Sequence, residues 1–189
     1  MKYILASTSP RRKELLKKSG IEFGCISPEY DENILNKVFS YNLIEEIAEK
    51  KNDSVAKNIK EPAIIISADT VVIYDNMVLG KPKDFNDAYK MLSMLSGKVH
   101  KVVTSVCVVN NVSNKKIIES ETSFVEFNSL SKDTIKNYIN QFEPYDKAGS
   151  YGIQELPDGF VKEIKGDFDN IVGLPCNLLK QMINKIVLV

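Results

Sequence analysis

Residues 63–74 read AIIISADTVVIY and constrain the fold of this chain more than any other stretch. "AIIIS" is built on three consecutive β-branched isoleucines, which marks a buried strand. "VVIY" is a second such run, and between them stands Ala68-Asp69-Thr70, so Asp69 is expected at a strand end. A strand buried in this way needs layers to cover it, and the flanking chain has the patterns to supply them. Tyr3 to Ala6 reads as a short buried strand, and Ser9 caps a helix that opens on Pro10 and stops at Gly20. Residues 21–39 mix apolar and acidic residues around the polar loop "PEYDEN".

From Ser40 to Ile59 the apolar residues recur at helical spacing, with Asn52-Asp53-Ser54 open as a break. Asp75-Asn76 is a turn that returns the chain through "MVLG". Asp84 to Leu95 carries Ala88, Met91, Leu92 and Leu95 on one helical face and ends near Gly97. "KVVTSVCVV" and "IIESETSFVEF" form a hairpin pair. Ser131 caps a helix through Phe142, with Leu130 and Ile135 as its hydrophobic staple. "SYGIQ" and "FVKEI" read as strands around Pro157-Asp158-Gly159, and Pro175 opens a final helix. No repeat, low-complexity tract or linker interrupts this series. The expectation is one α/β (α+β) domain over residues 1–189, a mixed sheet flanked by helices, with two lobes around a cleft.

Charge narrows the function. Lys plus Arg and Asp plus Glu each number 25, so the net charge is zero and gives no support to a nucleic-acid or membrane-surface role. Cys25, Cys107 and Cys176 are odd in number and far apart, as expected of free thiols in a reducing compartment. No apolar run approaches the ~20 residues of a membrane span. Tyr3-Ile4-Leu5-Ala6 is too short for the core of a signal peptide, so the cytoplasm is the expected address.

Several residues are candidates for chemistry. In "LASTSPRRKELL" a helix N-terminus with its positive dipole end meets Ser7, Arg11, Arg12 and Lys13. That is either a seat for phosphate or a capped, solvated turn, and three basic residues in a first turn favour the seat. Asp69 is an ionisable group amid apolar strand residues, so it must be bonded, paired or metal-bound. It serves either a site or the bending backbone, and the site is favoured because ligands in α/β sheets bind at strand ends. Glu29, Asp31 and Glu32 are hard oxygen donors suited to Mg²⁺ or Mn²⁺, or simply surface acids. Lys81 of "GKP" projects from a rigid turn as a second phosphate contact or a solvated lysine. The single histidine, His100, has no serine or cysteine signature near it, which argues against a nucleophilic triad.

Five segments, "LASTSPRRKELL", "SADTVV", "GKPKDFNDAYKMLSMLSGKVHKVVTSV", "DKAGSYGIQ" and "IKGDFDNIVGLP", resemble in order the signatures of the Maf family of nucleotide pyrophosphatases. The resemblance spans nearly the whole chain and implies a fold similar to that of the inosine triphosphate pyrophosphatases. It also implies metal-dependent hydrolysis of a nucleoside triphosphate to the monophosphate and pyrophosphate, and a homodimer. By the same resemblance Asp69 is the catalytic acid and proton acceptor. Arg12, Thr70 and Gln154 choose the substrate, while Glu32 and Lys81 are needed for activity, with Glu32 and Asp69 as holders of Mg²⁺ or Mn²⁺. "DKAGSYGIQ" looks like the branch acting on dTTP and UTP, with CTP and modified pyrimidines left open. Glu155 stands where that branch commonly has glycine, and Cys176 replaces an aliphatic residue. The alternative is a nucleotide-binding regulator of cell division without turnover.

Overall fold

A computed structural model describes residues 1–30 and 38–187. Its strands form a seven-stranded mixed sheet. They are β1 (Lys2–Ala6), β2 (Phe23–Ile26), β3 (Ala63–Tyr74), β4 (Met77–Leu79), β5 (Val99–Asn110), β6 (Lys115–Phe127) and β7 (Val161–Lys165). The helices are α1 (Pro10–Lys18), α2 (Tyr41–Ala56), α3 (Phe85–Leu95), α4 (Lys132–Phe142), α5 (Phe168–Val172) and α6 (Cys176–Val187). The order across the sheet is β2-β1-β3-β5-β6-β7, with β4 as a second partner of β3. This is the mixed α/β class the sequence implies.

β3 carries the architecture and departs from expectation. It does not end before Asp69, because its ladder with β5 runs unbroken from Ile64–Asn110 to Ile73–Lys101. The β5 side satisfies the backbone through Ala68-Asp69-Thr70, so a short polar interlude does not stop the strand. On the other edge β1 covers β3 only as far as Ile66, and β4 resumes at Val72. Between them lies a notch in the sheet, residues 67–71. Strand alternation turns Ser67 and Asp69 toward α2, where Ser67 Oγ donates to the Ala48 carbonyl at 2.6 Å. Ile66, Ala68 and Thr70 face the opposite layer, where Ile66 and Ala68 pack with Leu15, Leu16, Leu174, Leu179 and Met182.

Other differences have local causes. α2 continues through Asn52-Asp53-Ser54, because fully buried Asn52 donates Nδ2 to the carbonyls of Ile65 and Cys107 at 2.9 and 3.1 Å. "SYGIQ" is a turn segment instead of a strand. Gly149 before it sits at φ +67° and donates its N–H to the Gly80 carbonyl at 3.0 Å. A Cβ there would lie 2.8 Å from Val72 Cγ2, so the close approach needs glycine. β2 and the five-residue α5 were not expected from the sequence, being too short to show a period. The Ser9, Ser40, Asp84 and Ser131 side chains each accept from a backbone N–H as N-caps.

Candidate active site

A cavity of about 260 Å³ opens at the notch, lined from the β1–α1 turn, β3, Lys81 and the 146–154 segment. It contains Ser7, Arg11, Arg12, Asp69, Thr70, Lys81 and Gln154, so seven of the expected site residues do converge. Lys13 is not among the lining residues. Glu32 and Asp31 lie outside the described residues.

The turn after β1 is organised by its serines. Ser7 is buried and its Oγ accepts from the Ser9 N–H at 3.1 Å, while Ser9 Oγ accepts from the Arg12 N–H at 3.4 Å. Arg12 then reaches across the cavity: its Nε donates to the Gly173 carbonyl at 2.9 Å and its Nη2 to Thr70 Oγ1 at 3.0 Å. Arg11 instead meets Asp146, with Nη1 3.2 Å from Oδ2.

On the α2 face of the sheet, Asp69 is buried and its Oδ1 accepts from Lys51 Nζ at 2.5 Å. Asp69 Oδ2 is buried with no hydrogen-bond partner among the described residues. A buried pair of this kind costs desolvation on both members, so the lysine holds the carboxylate in place at considerable expense to folding. Lys51 was missed from the sequence. Ile44, Ile47, Ala48 and Val55 form the buried stripe of α2, and Lys51 falls on that stripe. A lysine on an apolar stripe was the available signal.

Two more charged residues escaped notice. Lys147 is buried and lies 2.8 Å from Asp146 Oδ1 and 3.2 Å from Glu155 Oε2. Burial pushes the Asp146 carboxyl up, but the hydrogen bond and charge of Lys147, with Arg11, outweigh it and hold it below the usual range. Glu155 thus serves as a second carboxylate on Lys147, and Cys176 is buried in the core against α1. Tyr151 lines the cavity and its hydroxyl lies 2.7 Å from His100 Nε2, whose ring burial brings down to about 4. His100 is therefore a core residue behind Tyr151. No three His, Cys, Asp or Glu side chains among the described residues gather as a metal cluster. No described helix is long and apolar enough to cross a membrane.

The profile of the family described as Maf-like protein matches residues 2–186. A dTTP/UTP pyrophosphatase of Clostridium perfringens is 45% identical over 180 residues, covering 95% of this chain and 94% of that protein. One from Clostridioides difficile is 44% identical over 185 residues, 98% and 95% of the two chains. The solved structure of the Staphylococcus aureus Ham1 protein shares the fold, with a TM-score of 0.53 at 14% identity over 98% of this chain and 99% of that one.

Proposed function

The chain belongs to the Maf family, and from that premise we propose that it hydrolyses dTTP and UTP to the nucleoside monophosphate and diphosphate. The observation that carries the proposal is Asp69 in the notch of the sheet, a lining residue of a cationic cavity, with Oδ1 fixed by Lys51 and Oδ2 buried without a partner among the described residues. An oxygen so placed is a proton acceptor for a water. The Ser7–Arg12 turn and Lys81 line the same cavity and offer charge and N–H groups to a triphosphate.

The proposed sequence is simple. The triphosphate lies along the turn, and Asp69 Oδ2 takes a proton from the water that attacks the α-phosphorus. The bond from the α-phosphorus to the bridging oxygen breaks, and diphosphate leaves with the electron pair. Arg12, Thr70 and Gln154 meet the base edge. Oδ2 is also a hard oxygen donor, which fits Mg²⁺ or Mn²⁺, with Glu32 as a second holder. Such a cation, when bound, neutralises charge on the phosphate oxygens. A cytoplasmic homodimer with no nucleic-acid partner belongs to the same proposal, checked by sedimentation and by a DNA or RNA shift assay.

The test is diphosphate release from dTTP, UTP, CTP and GTP with either metal, for wild type and Asp69→Asn. General-base assistance is worth ~10²–10⁴-fold, so the variant should lose at least ~10²-fold on dTTP and UTP. Tight nucleotide binding with no turnover in wild type would replace the enzyme with a nucleotide-binding regulator.

A further inference from the structure

Behind Thr70 runs a chain of hydrogen bonds whose direction can be worked out by counting protons. Thr104 on β5 lies directly opposite Thr70 in the ladder and is fully buried. Its Oγ1 is 3.0 Å from Thr70 Oγ1 and 2.9 Å from the carbonyl of Asn170, a residue itself fully buried. A carbonyl only accepts, so the single Thr104 proton goes to Asn170. Turning it toward Thr70 instead would leave a buried carbonyl without this donor, the costly way to break a hydrogen bond. Thr104 therefore offers Thr70 a lone pair, and the Thr70 hydroxyl donates to it. Among the described residues, the one other acceptor near the Thr70 proton is the Gly173 carbonyl at 3.4 Å, which already takes Arg12 Nε. Arg12 Nη2 meanwhile donates into Thr70 Oγ1. Every donor points the same way, from Arg12 to Thr70 to Thr104 to Asn170.

The consequence lies in the cavity. With its proton committed inward and one lone pair taken by Arg12, Thr70 Oγ1 has only a lone pair to show a ligand. We infer that Thr104 is a positioning residue for base choice: it fixes Thr70 as an acceptor and so selects pyrimidines that present an imide N–H, uracil and thymine, over cytosine. Arg12 beside it is a donor, so the two together match a carbonyl oxygen next to an N–H. Uracil and thymine carry that pair as O2 or O4 beside N3–H. Cytosine offers a bare N3 there, and two lone pairs then face each other. This rests on the nucleotide pyrophosphatase proposal above, and on Thr70 meeting the base.

The experiment measures kcat/KM for UTP and CTP with wild type, Thr104→Val and Thr104→Ser. Valine keeps the shape and removes the hydroxyl, so Thr70 is freed to turn its proton toward the cavity. Serine keeps the relay. Wild type should prefer UTP by at least ~10-fold, within the range by which a polar site rejects a mismatched partner. Thr104→Val should reduce that preference to within ~3-fold, and Thr104→Ser should keep it. An unchanged ratio in Thr104→Val, with both substrates falling alike, would make Thr104 merely structural and overturn the inference. Should Thr104→Val not fold, wild type alone decides by UTP against N3-methyl-UTP and CTP. Loss of ~10-fold on both is expected, and equal rates on UTP and CTP refute the polarity while leaving the pyrophosphatase standing. No turnover of any pyrimidine triphosphate would fell the parent proposal instead.

Discussion

His100 makes the stability of this protein depend on pH in a way that can be worked out from its surroundings. The ring is 2% exposed, packs edge-on against Phe127 and Tyr151, and meets the Tyr151 hydroxyl at 2.7 Å. Its Nδ1 is buried without a hydrogen-bond partner among the described residues. A charged imidazolium there would have an unpaired N–H in an apolar wall, which is why burial lowers its pKa from 6.5 to about 4. The unfolded chain thus binds more protons than the folded one between pH 4 and 6.5, so stability falls as pH falls through that window. It is fully present above 6.5 and lost by about 4. At ~1.4 kcal/mol per pH unit the gap corresponds to about 3 kcal/mol. Carboxylates titrate in the same window, so the comparison is with His100→Gln, which keeps a polar partner for Tyr151 and carries no charge. Urea unfolding followed by circular dichroism at several pH values from 7 to 4 reads the difference. Wild type should lose about 3 kcal/mol more than the variant over that window. Curves that run parallel to within about 1 kcal/mol would refute the reasoning.

Three further outcomes follow from the geometry. Lys51→Met leaves Asp69 buried without its cation and should cost about 3–5 kcal/mol in urea unfolding, with much of that recovered in Lys51→Met/Asp69→Asn. Gly149→Ala places a Cβ 2.8 Å from Val72 Cγ2 at a left-handed backbone position and should lower the thermal midpoint by ~4 °C or more. The same change should raise KM for the nucleotide, since Lys147 and Gln154 flank that turn in the cavity wall. Asn52→Leu strips a donor from two buried carbonyls and should destabilise by about 2–4 kcal/mol, with no direct effect on base preference.

Much of the fold was legible because its signals are local. Ser9, Asp84 and Ser131 each cap the helix expected after them, and the long hairpin of β5 and β6 shows as two strand-like runs on either side of an Asn/Ser-rich turn. What failed was whatever depended on distant partners. "SYGIQ" has the residues of a strand, yet Gly149 and Ser150 both adopt positive φ and turn the chain against Val72 and Gly80. Asn52 resembles a helix breaker until β3 and β5 place two carbonyls before it. Lys51 stands out only as a lysine on the apolar stripe of α2, and the packing of α2 on β3 is what reveals that its partner is Asp69.

The notch explains why one strand supplies two kinds of residue. Asp69 and Thr70 are neighbours in sequence, and an intact sheet would send them to separate compartments with β1 or β4 closing the edge between. Because β1 stops pairing at Ile66 and β4 begins at Val72, the edge stays open where the two residues stand, and one cavity reaches both faces. From the α2 face comes Lys51, which fixes the carboxylate; from the other come Arg12, Gly173 and Thr104, which fix the hydroxyl. Each side chain is therefore held by its own set of partners, and the two sets share no residue. On the proposed roles, a substitution behind Thr70 alters which base is accepted while the carboxylate and its lysine stay where they are. A fold that kept the proposed proton acceptor and the proposed base contact on one face would have no such independence.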